Sequence, residues 1–161
     1  MDEFGHNYGR RIRDINFVTA DRRVAEAINC PVGTRFLRFI NLRTGEDAAD
    51  DAVVCTKVFI NPAYGDILTR AHAQPETLIV TLIEELFHKS YVSIKQSIRA
   101  VALPENVAKL LGAVPGEPAL RILRHYLDAK GEALEISVTY HPGRRYAFNM
   151  TLGRHPIAAK G

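Results

Sequence analysis

Four polar side chains alternate with apolar residues near the end of the chain. Glu135, Ser137, Thr139 and His141 each follow an aliphatic or aromatic residue. This period of two predicts a β-strand over residues 134–141 with the four polar groups on one face. That face either points at water or lines a cavity. In a cavity, a carboxylate, two hydroxyls and an imidazole would suit hydrogen bonding to a hydroxylated, amino- or acid-bearing small molecule.

A second strand carries further candidates. Residues 92–103 alternate in the same way, and Ser97 and Arg99 fall on one face of this long strand. We expect both to join the polar set of residues 134–141. Arg99 is either a surface arginine or the group that holds a carboxylate or phosphate bidentately.

The sequence contains none of the common catalytic or metal-binding patterns. It has no Gly-rich phosphate loop, H-E-x-x-H, G-x-S-x-G or C-x-x-C motif. The six histidines lack the spacing of helical metal ligands, so no metal or other cofactor is expected. Cys30 and Cys55 are the only cysteines, and they are interpreted as reduced, partly buried thiols of a cytoplasmic protein.

Length and charge predict one globular domain. A chain of 161 residues can bury a substantial core, and a net charge of +3 does not by itself indicate nucleic-acid binding. No apolar stretch is long enough to span a membrane, and the N-terminus does not resemble a signal peptide. Residues 1–16, with the basic run at 10–13, are predicted to be a flexible, solvated leader, residues 17–152 the domain, and residues 153–161 a tail.

The chain contains an internal repeat. Residues 24–38 and 107–121 are identical at five of fifteen positions at an offset of 83 (107 minus 24). Two copies predict one domain with two similar halves and space for a ligand between them. Because the second copy is the more polar at corresponding positions, we expect it to supply most ligand contacts.

Hydrophobic periodicity, caps and turn residues predict an α+β fold with a largely antiparallel sheet and packed helices. Residues 45–52 are predicted to form a mobile acidic loop. The predicted helices are 21–28, one beginning at Pro75, and 104–111, and the predicted strands are 36–42, 53–60, 92–103, 119–127, 134–141 and 146–152.

An ordered series of segments resembles the UTRA domain, the effector-binding domain of bacterial GntR-type transcription regulators of the HutC subfamily. The resemblance covers residues 17–152. It is carried by V-A-E-A-I-N-C-P-V-G-T-R-F-L-R-F at 24–39, L-I-E-E-L-F at 82–87, Q-S-I-R-A-V-A-L-P-E at 96–105, L-L-G-A-V-P-G-E-P-A-L-R-I-L-R at 110–124 and D-A-K-G-E-A-L-E-I-S-V-T-Y-H-P-G-R-R-Y-A-F at 128–148.

This resemblance implies a chorismate-lyase-like fold and a ligand cavity. In members that bind phosphosugars, the last strands supply a glutamate and, six residues on, an aromatic residue or histidine; Glu135 and His141 occupy those places. Two arginines and an acidic residue of those members correspond to Phe39, Asn41 and Thr56. These departures favour a less charged effector, or one held by Arg99.

The resemblance also implies a cytoplasmic, non-enzymatic homodimer that senses a sugar, an amino-acid derivative or an organic acid. About sixteen residues precede the resemblance, too few for a winged helix-turn-helix, so DNA binding is expected only through a separate N-terminal domain. The alternatives are a protein-interaction module without a ligand and a chorismate-lyase-like enzyme. The enzyme would use Arg99 or Arg124 for substrate carboxylates and Glu135 for proton transfer.

Overall fold

A computed structural model describes residues 9–44 and 52–156 and places the described strands in one antiparallel sheet of order β1-β2-β3-β6-β5-β4. The predicted α+β class is confirmed. The strands are β1 (Gly9–Thr19), β2 (Arg35–Thr44), β3 (Ala52–Ile60), β4 (Ser93–Ala102), β5 (Pro118–Leu127) and β6 (Ala133–Pro142). The helices are α1 (Arg22–Ile28), α2 (Ile67–Ala73), α3 (Ile79–Phe87) and α4 (Glu105–Leu111).

Local chemistry fixes the ends of the short helices. The Asp21 carboxylate accepts a hydrogen bond from the Val24 N–H and caps α1, as the sequence predicts. Gly112 ends α4 in the left-handed conformation at φ 57°, which glycine adopts without a Cβ penalty. Asp21 therefore fixes the start of α1, and Gly112 fixes the end of α4.

The sheet is covered on both faces by different helices. Buried residues of α1 and α4 share one apolar cluster with Phe36, Cys55 and Val138. Buried residues of α2 and α3 share a second cluster with Phe39 and Val58 on the opposite face. We call these the α1/α4 face and the α2/α3 face. Since side chains alternate along a strand, neighbouring residues of one strand belong to different faces.

The two halves of the sheet are related by a local two-fold axis. The unit β1-α1-β2-β3 has the same element order as β4-α4-β5-β6. Where β1 pairs with β2 next to α1, Val18 faces Phe36; where β4 pairs with β5 next to α4, Val101 faces Ala119, again an offset of 83. In the centre, β3 pairs with β6 so that Thr56 faces Thr139, and these residues also differ by 83. The repeat in the sequence is therefore a repeat of structure.

The prediction of a flexible leader is wrong over residues 9–16. These residues form most of β1, which pairs with β2 from Gly9 to Thr19. The charges of the segment conceal a strand at the sheet edge, where most side chains stay exposed while the backbone pairs on one side. Residues 1–8 lie outside the described part of the chain.

Two other element predictions are wrong. Residues 146–152 do not form a strand, and the helix expected from Pro75 begins four residues later, at Ile79. The turn at 75–77 takes up the intervening residues. Helix α2 was not predicted, since its seven residues give too short a periodic signal. Of the acidic loop predicted over residues 45–52, residues 45–51 lie outside the described part of the chain, and Ala52 begins β3.

Within residues 9–44 and 52–156, no helix is long and apolar enough to cross a membrane.

Candidate functional site

A polar cavity opens on the α2/α3 face, beside the start of α3. Its volume is about 250 Å³. Strands β2, β3, β5 and β6 form its floor, the start of α3 forms one wall, and the second copy of the repeat provides most of its polar lining. The lining residues are Asn41, Arg43, Val54, Thr56, Val58, Leu78, Ile79, Ile122, Arg124, Tyr126, Glu135, Ser137, Thr139, His141 and Tyr146.

The polar face of residues 134–141 is turned into this cavity. Glu135, Ser137 and His141 are each less than 10% exposed, at 6%, 6% and 7%, and Thr139 is half-buried. Of the two alternatives that the sequence left open, a polar lining and a solvated face, the structure selects the lining.

Glu135 is a buried carboxyl group whose environment favours its neutral form. Burial raises its pKa from 4.5 to about 7, while the charge of Arg10 and a hydrogen bond from the Val80 backbone oppose that rise. Val80 lies in the first turn of α3, where unpaired N–H groups point outward. Near neutral pH the group therefore exists in both forms and can accept or donate a hydrogen bond.

Arg10 ties the edge strand β1 to the segment between α2 and α3. Its guanidinium donates to the carbonyl oxygens of Ala71 and Gln74, each at 3.4 Å, and to that of Thr77. Burial and the nearby charge of Arg43 lower the pKa of Arg10 to about 10. The Nε atom is buried and has no hydrogen-bond partner among the described residues. Arg10 thus holds in place the chain that walls the cavity.

His141 stands at the opposite end of the polar row from Glu135. Its ring stacks on Tyr146, with ring centroids 3.7 Å apart and an interplanar angle of 13°. Burial, together with the charge of Arg124, lowers its pKa from 6.5 to about 4. The imidazole is therefore neutral at physiological pH, with one nitrogen donating and the other accepting.

Arg124 supplies positive charge to the centre of the cavity. Its Nε donates to Gln96 Oε1 at 2.6 Å, and its guanidinium also bonds to the Tyr126 hydroxyl. Gln96 faces Arg124 across β4 and β5. These contacts fix the plane of the guanidinium, which suits it to bind an anionic group.

Two threonines meet at the local two-fold axis, and Asn41 lies next to them. The hydroxyls of Thr56 and Thr139 are 2.9 Å apart and share one hydrogen bond. Asn41 pairs with Thr56 in the next strand, and its side-chain oxygen is buried without a hydrogen-bond partner in the described part of the chain. A buried acceptor without a donor is rare in folded proteins.

The structure brings five of the eight predicted site residues together. Asn41, Thr56, Arg124, Glu135 and His141 all line the polar cavity.

The other three lie elsewhere. Ser97 and Arg99 line a separate concavity beside α1, on the α1/α4 face, so the prediction that they join Glu135 is wrong. On the cavity side β4 instead places Gln96, which is one position from Ser97, because alternation sends neighbouring residues to opposite faces. Phe39 is completely buried in the apolar cluster beneath α2 and α3 and does not line the cavity.

Sequence reasoning missed several residues of this region. Arg43 lies two positions after Asn41 on β2 and shares its face, so strand alternation could have found it. Tyr126 lies two positions after Arg124 on β5, so the same alternation could have found it. Arg10 and Tyr146 were assigned to wrong elements, and no local pattern connects either residue with the cavity. No group of three His, Cys, Asp or Glu in the described chain is placed to hold a metal ion.

The fold is shared with solved domains of transcription regulators. A ligand-binding domain of a GntR-family regulator from Bordetella bronchiseptica matches with a TM-score of 0.72 and 19% identity, covering 94% of each chain. The C-terminal domain of the histidine utilization repressor from Pseudomonas syringae pv. tomato matches with a TM-score of 0.72 and 16% identity, covering 92% of this chain and all of that one (100%). The effector domain of PhnF from Mycobacterium smegmatis matches with a TM-score of 0.69 and 20% identity, covering 92% of this chain and 88% of that chain.

The sequence itself matches the family model of the UTRA domain over residues 3–147, which includes β1 and every later element of the sheet. The resemblance inferred from the ordered motifs is confirmed, and the chain belongs to the UTRA domain family.

Proposed function

We propose that this chain is a small-molecule-sensing domain that forms a homodimer and regulates transcription through a separate DNA-binding domain. The solved relatives with this fold include ligand-binding and effector domains of GntR-family regulators. The effector would bind in the polar cavity without being chemically changed. It would act by favouring one arrangement of the two copies over another.

The observation that carries this proposal is the unpaired acceptor of Asn41. Its side-chain oxygen is buried beside a cavity of about 250 Å³ and lacks a hydrogen bond among the described residues. Leaving such a group unpaired costs about 1–3 kcal/mol. A ligand hydroxyl or amino group that donates a hydrogen bond to this oxygen removes that cost. The free energy regained in this way favours binding of the ligand.

The lining also limits the class of ligand. Arg43 and Arg124 favour a carboxylate or phosphate, whereas Glu135 and Asn41 accept from hydroxyl or amino groups. Neutral His141 can donate or accept. We propose an effector with one anionic group and several hydroxyl or amino groups, such as a sugar acid, an amino-acid derivative or another hydroxylated organic acid.

The first experiment identifies the ligand. Native mass spectrometry of the protein purified from its own cells is expected to show a retained molecule of this class, and that compound should raise the melting temperature in proportion to its concentration. A panel of hydroxylated acids and amino acids provides the alternative probe. If neither source yields a ligand that stabilises the fold, the sensing function is refuted.

Two variants then locate the site. Glu135→Gln and His141→Ala are expected to weaken binding at least about tenfold, the effect of losing about 1.4 kcal/mol of contact energy. Glu132→Gln and His72→Ala change the same residue types at exposed positions and are expected to bind as the unaltered chain. Equal binding by all four variants would place the ligand outside the polar cavity.

A third variant tests the unpaired oxygen directly. Asn41→Leu removes the buried acceptor and is expected to stabilise the ligand-free fold by about 1 kcal/mol while weakening binding. Chemical denaturation and calorimetric titration measure the two effects. Loss of stability without loss of affinity would show that Asn41 serves packing alone.

A second candidate function rests on Arg124 and Glu135 sharing one cavity. A carboxyl group with a pKa of about 7 suits proton transfer, and an arginine suits a substrate carboxylate, as in the lyase alternative. Incubation with chorismate and detection of products tests this function. Recovery of unchanged chorismate excludes it.

A further inference from the structure

The chain leaves the sheet after β6 as an extended segment that adds no strand. Its beginning is fixed, because Arg145 donates to the carbonyl oxygens of Leu111 at 2.7 Å and Gly112 at 3.0 Å. Farther along, Met150 and Leu152 are 66% and 82% exposed. We call residues 146–156 the C-terminal arm.

The arm has the residue pattern of a strand. Tyr146, Phe148, Met150 and Leu152 are apolar at every second position, and smaller or polar residues separate them. Burial follows the same period at its start, since residues 146 and 148 are half-buried and residues 147 and 149 are exposed. Residues 147–152 therefore have the residue pattern of a strand but belong to no strand of the described sheet.

Strand β4 presents an unpaired edge of matching length. Its ten residues pair with β5 without a bulge, and no described strand lies on its other side. Every residue of β4 except Val101 is exposed. On the α2/α3 face it shows two apolar side chains, Ile94 at 47% and Ile98 at 38% exposure. A long, regular and uncovered edge is a template for another strand.

The equivalent edge in the other half is protected. By the internal repeat, β1 corresponds to β4, yet β1 carries a register shift between Arg13 and Asn16, where Asp14 adopts a φ of 54°. A bulge of this kind twists an edge strand and interrupts its outer row of hydrogen-bonding groups. Of the two open edges, only β4 is regular enough to receive six or more residues.

We propose that two copies of this chain exchange their C-terminal arms, with residues 147–152 of each copy pairing with the β4 edge of the other. The exchange is reciprocal, as a two-fold symmetric dimer requires. Main-chain hydrogen bonds supply the pairing, and Met150 and Leu152 cover the exposed Ile94 and Ile98.

This arrangement deepens the dimerisation part of the proposed function, on which it rests. The arm begins at Tyr146, whose ring stacks on His141 in the polar cavity. The receiving strand contains Gln96, which accepts a hydrogen bond from Arg124 in the same cavity. Both sides of the interface are therefore attached to cavity residues, so a ligand that moves Tyr146 or Arg124 changes how the two copies meet.

The test compares the oligomeric state of three proteins of 161 residues. Sedimentation equilibrium is measured for the unaltered chain, for Met150→Asp with Leu152→Asp, and for Val32→Asp with Val114→Asp. The control pair introduces the same charges at exposed apolar positions, 67% and 55% exposed, outside both the arm and β4. We expect the arm variant to raise the dimer dissociation constant by at least about a hundredfold, tenfold for each anchor, and the control to leave it unchanged.

Hydrogen exchange identifies the receiving strand. Amides of β4 are expected to exchange slowly in the dimer and at least about tenfold faster in the arm variant, whereas β1 exchanges equally in both. If the unaltered chain is monomeric at all concentrations, both the exchange and the dimerisation part of the proposed function are refuted. If a dimer forms and neither its affinity nor β4 protection responds to the arm variant, the exchange alone is refuted.

Discussion

Glu135 and His141 line the same cavity, and burial disfavours the charged form of each. Because one is an acid and the other a base, their effects on the stability of the fold change with pH in opposite directions. The folded pKa of Glu135 is raised from 4.5 to about 7, so its contribution is complete below pH 4.5 and is lost as pH rises through 7. The folded pKa of His141 is lowered from 6.5 to about 4, so its contribution is complete above pH 6.5 and is lost as pH falls through 4.

The two effects have similar size and overlapping ranges. Each pKa differs by about 2.5 between the folded and unfolded chain, which corresponds to about 3 kcal/mol at 1.36 kcal/mol per pH unit. Between pH 4.5 and 6.5 the two contributions change the free energy of unfolding in opposite directions and largely offset each other. In the unaltered chain, the free energy of unfolding is therefore expected to change little over this pH range, although both groups titrate.

Single substitutions are expected to reveal each group. Glu135→Gln leaves His141, so the free energy of unfolding rises by about 3 kcal/mol from pH 4 to pH 6.5. His141→Gln leaves Glu135, so the free energy of unfolding falls by about 3 kcal/mol from pH 4.5 to pH 7. The double variant again has a nearly flat profile, apart from titrations common to all four proteins.

Urea denaturation followed by far-UV circular dichroism, at half-unit steps from pH 4 to pH 8, measures these profiles without a tryptophan reporter, which the chain lacks. Differences between the four proteins remove the contribution of all other titrating groups. Parallel profiles for Glu135→Gln and His141→Gln would refute the reasoning, because two groups with opposite shifts cannot give equal slopes.

Three further predictions concern single contacts around the cavity. Arg10→Gln is expected to cost about 2 kcal/mol in urea denaturation and to speed hydrogen exchange at residues 71–80, since its charged bonds to the α2–α3 segment are lost; unchanged exchange there would contradict the role given to Arg10. Thr56→Val is expected to cost about 1 kcal/mol, whereas Thr56→Val with Thr139→Val is nearly neutral, because no hydroxyl is then left unpaired; additive losses would argue against the shared bond. Tyr146→Ala is expected to raise the pKa of His141 toward 6.5 in an NMR titration, as solvent reaches the ring; an unaltered pKa would show that the stacking does not exclude water.

Local patterns predicted the elements whose residue types follow a simple period. The strand over residues 134–141 and the helix capped by Asp21 are examples, because apolar residues recur at the period of two in the strand and at helical spacing in the helix. The polar row from Glu135 to His141 could be predicted for the same reason. Its role as a cavity lining could not, since alternation alone does not say what covers a face.

The errors arose where long-range contacts decide the structure. Strand β1 is charged and mostly exposed, and it is a strand because β2 pairs with it. Arg10 reaches the cavity wall through carbonyl groups more than sixty residues away in the sequence. Ser97 and Arg99 were placed on the correct strand, but the facing direction of that strand depends on its pairing with β5.

The central threonine pair shows where the cavity departs from the symmetry of the sheet. Thr56 and Thr139 face each other on the local two-fold axis and are separated by the repeat offset of 83 residues. A site built from two identical halves would present every group twice, once on each side of that axis. Asn41 and Arg124, also 83 apart, instead present an amide and a guanidinium. The cavity therefore distinguishes the two ends of a bound molecule, although the sheet beneath it repeats.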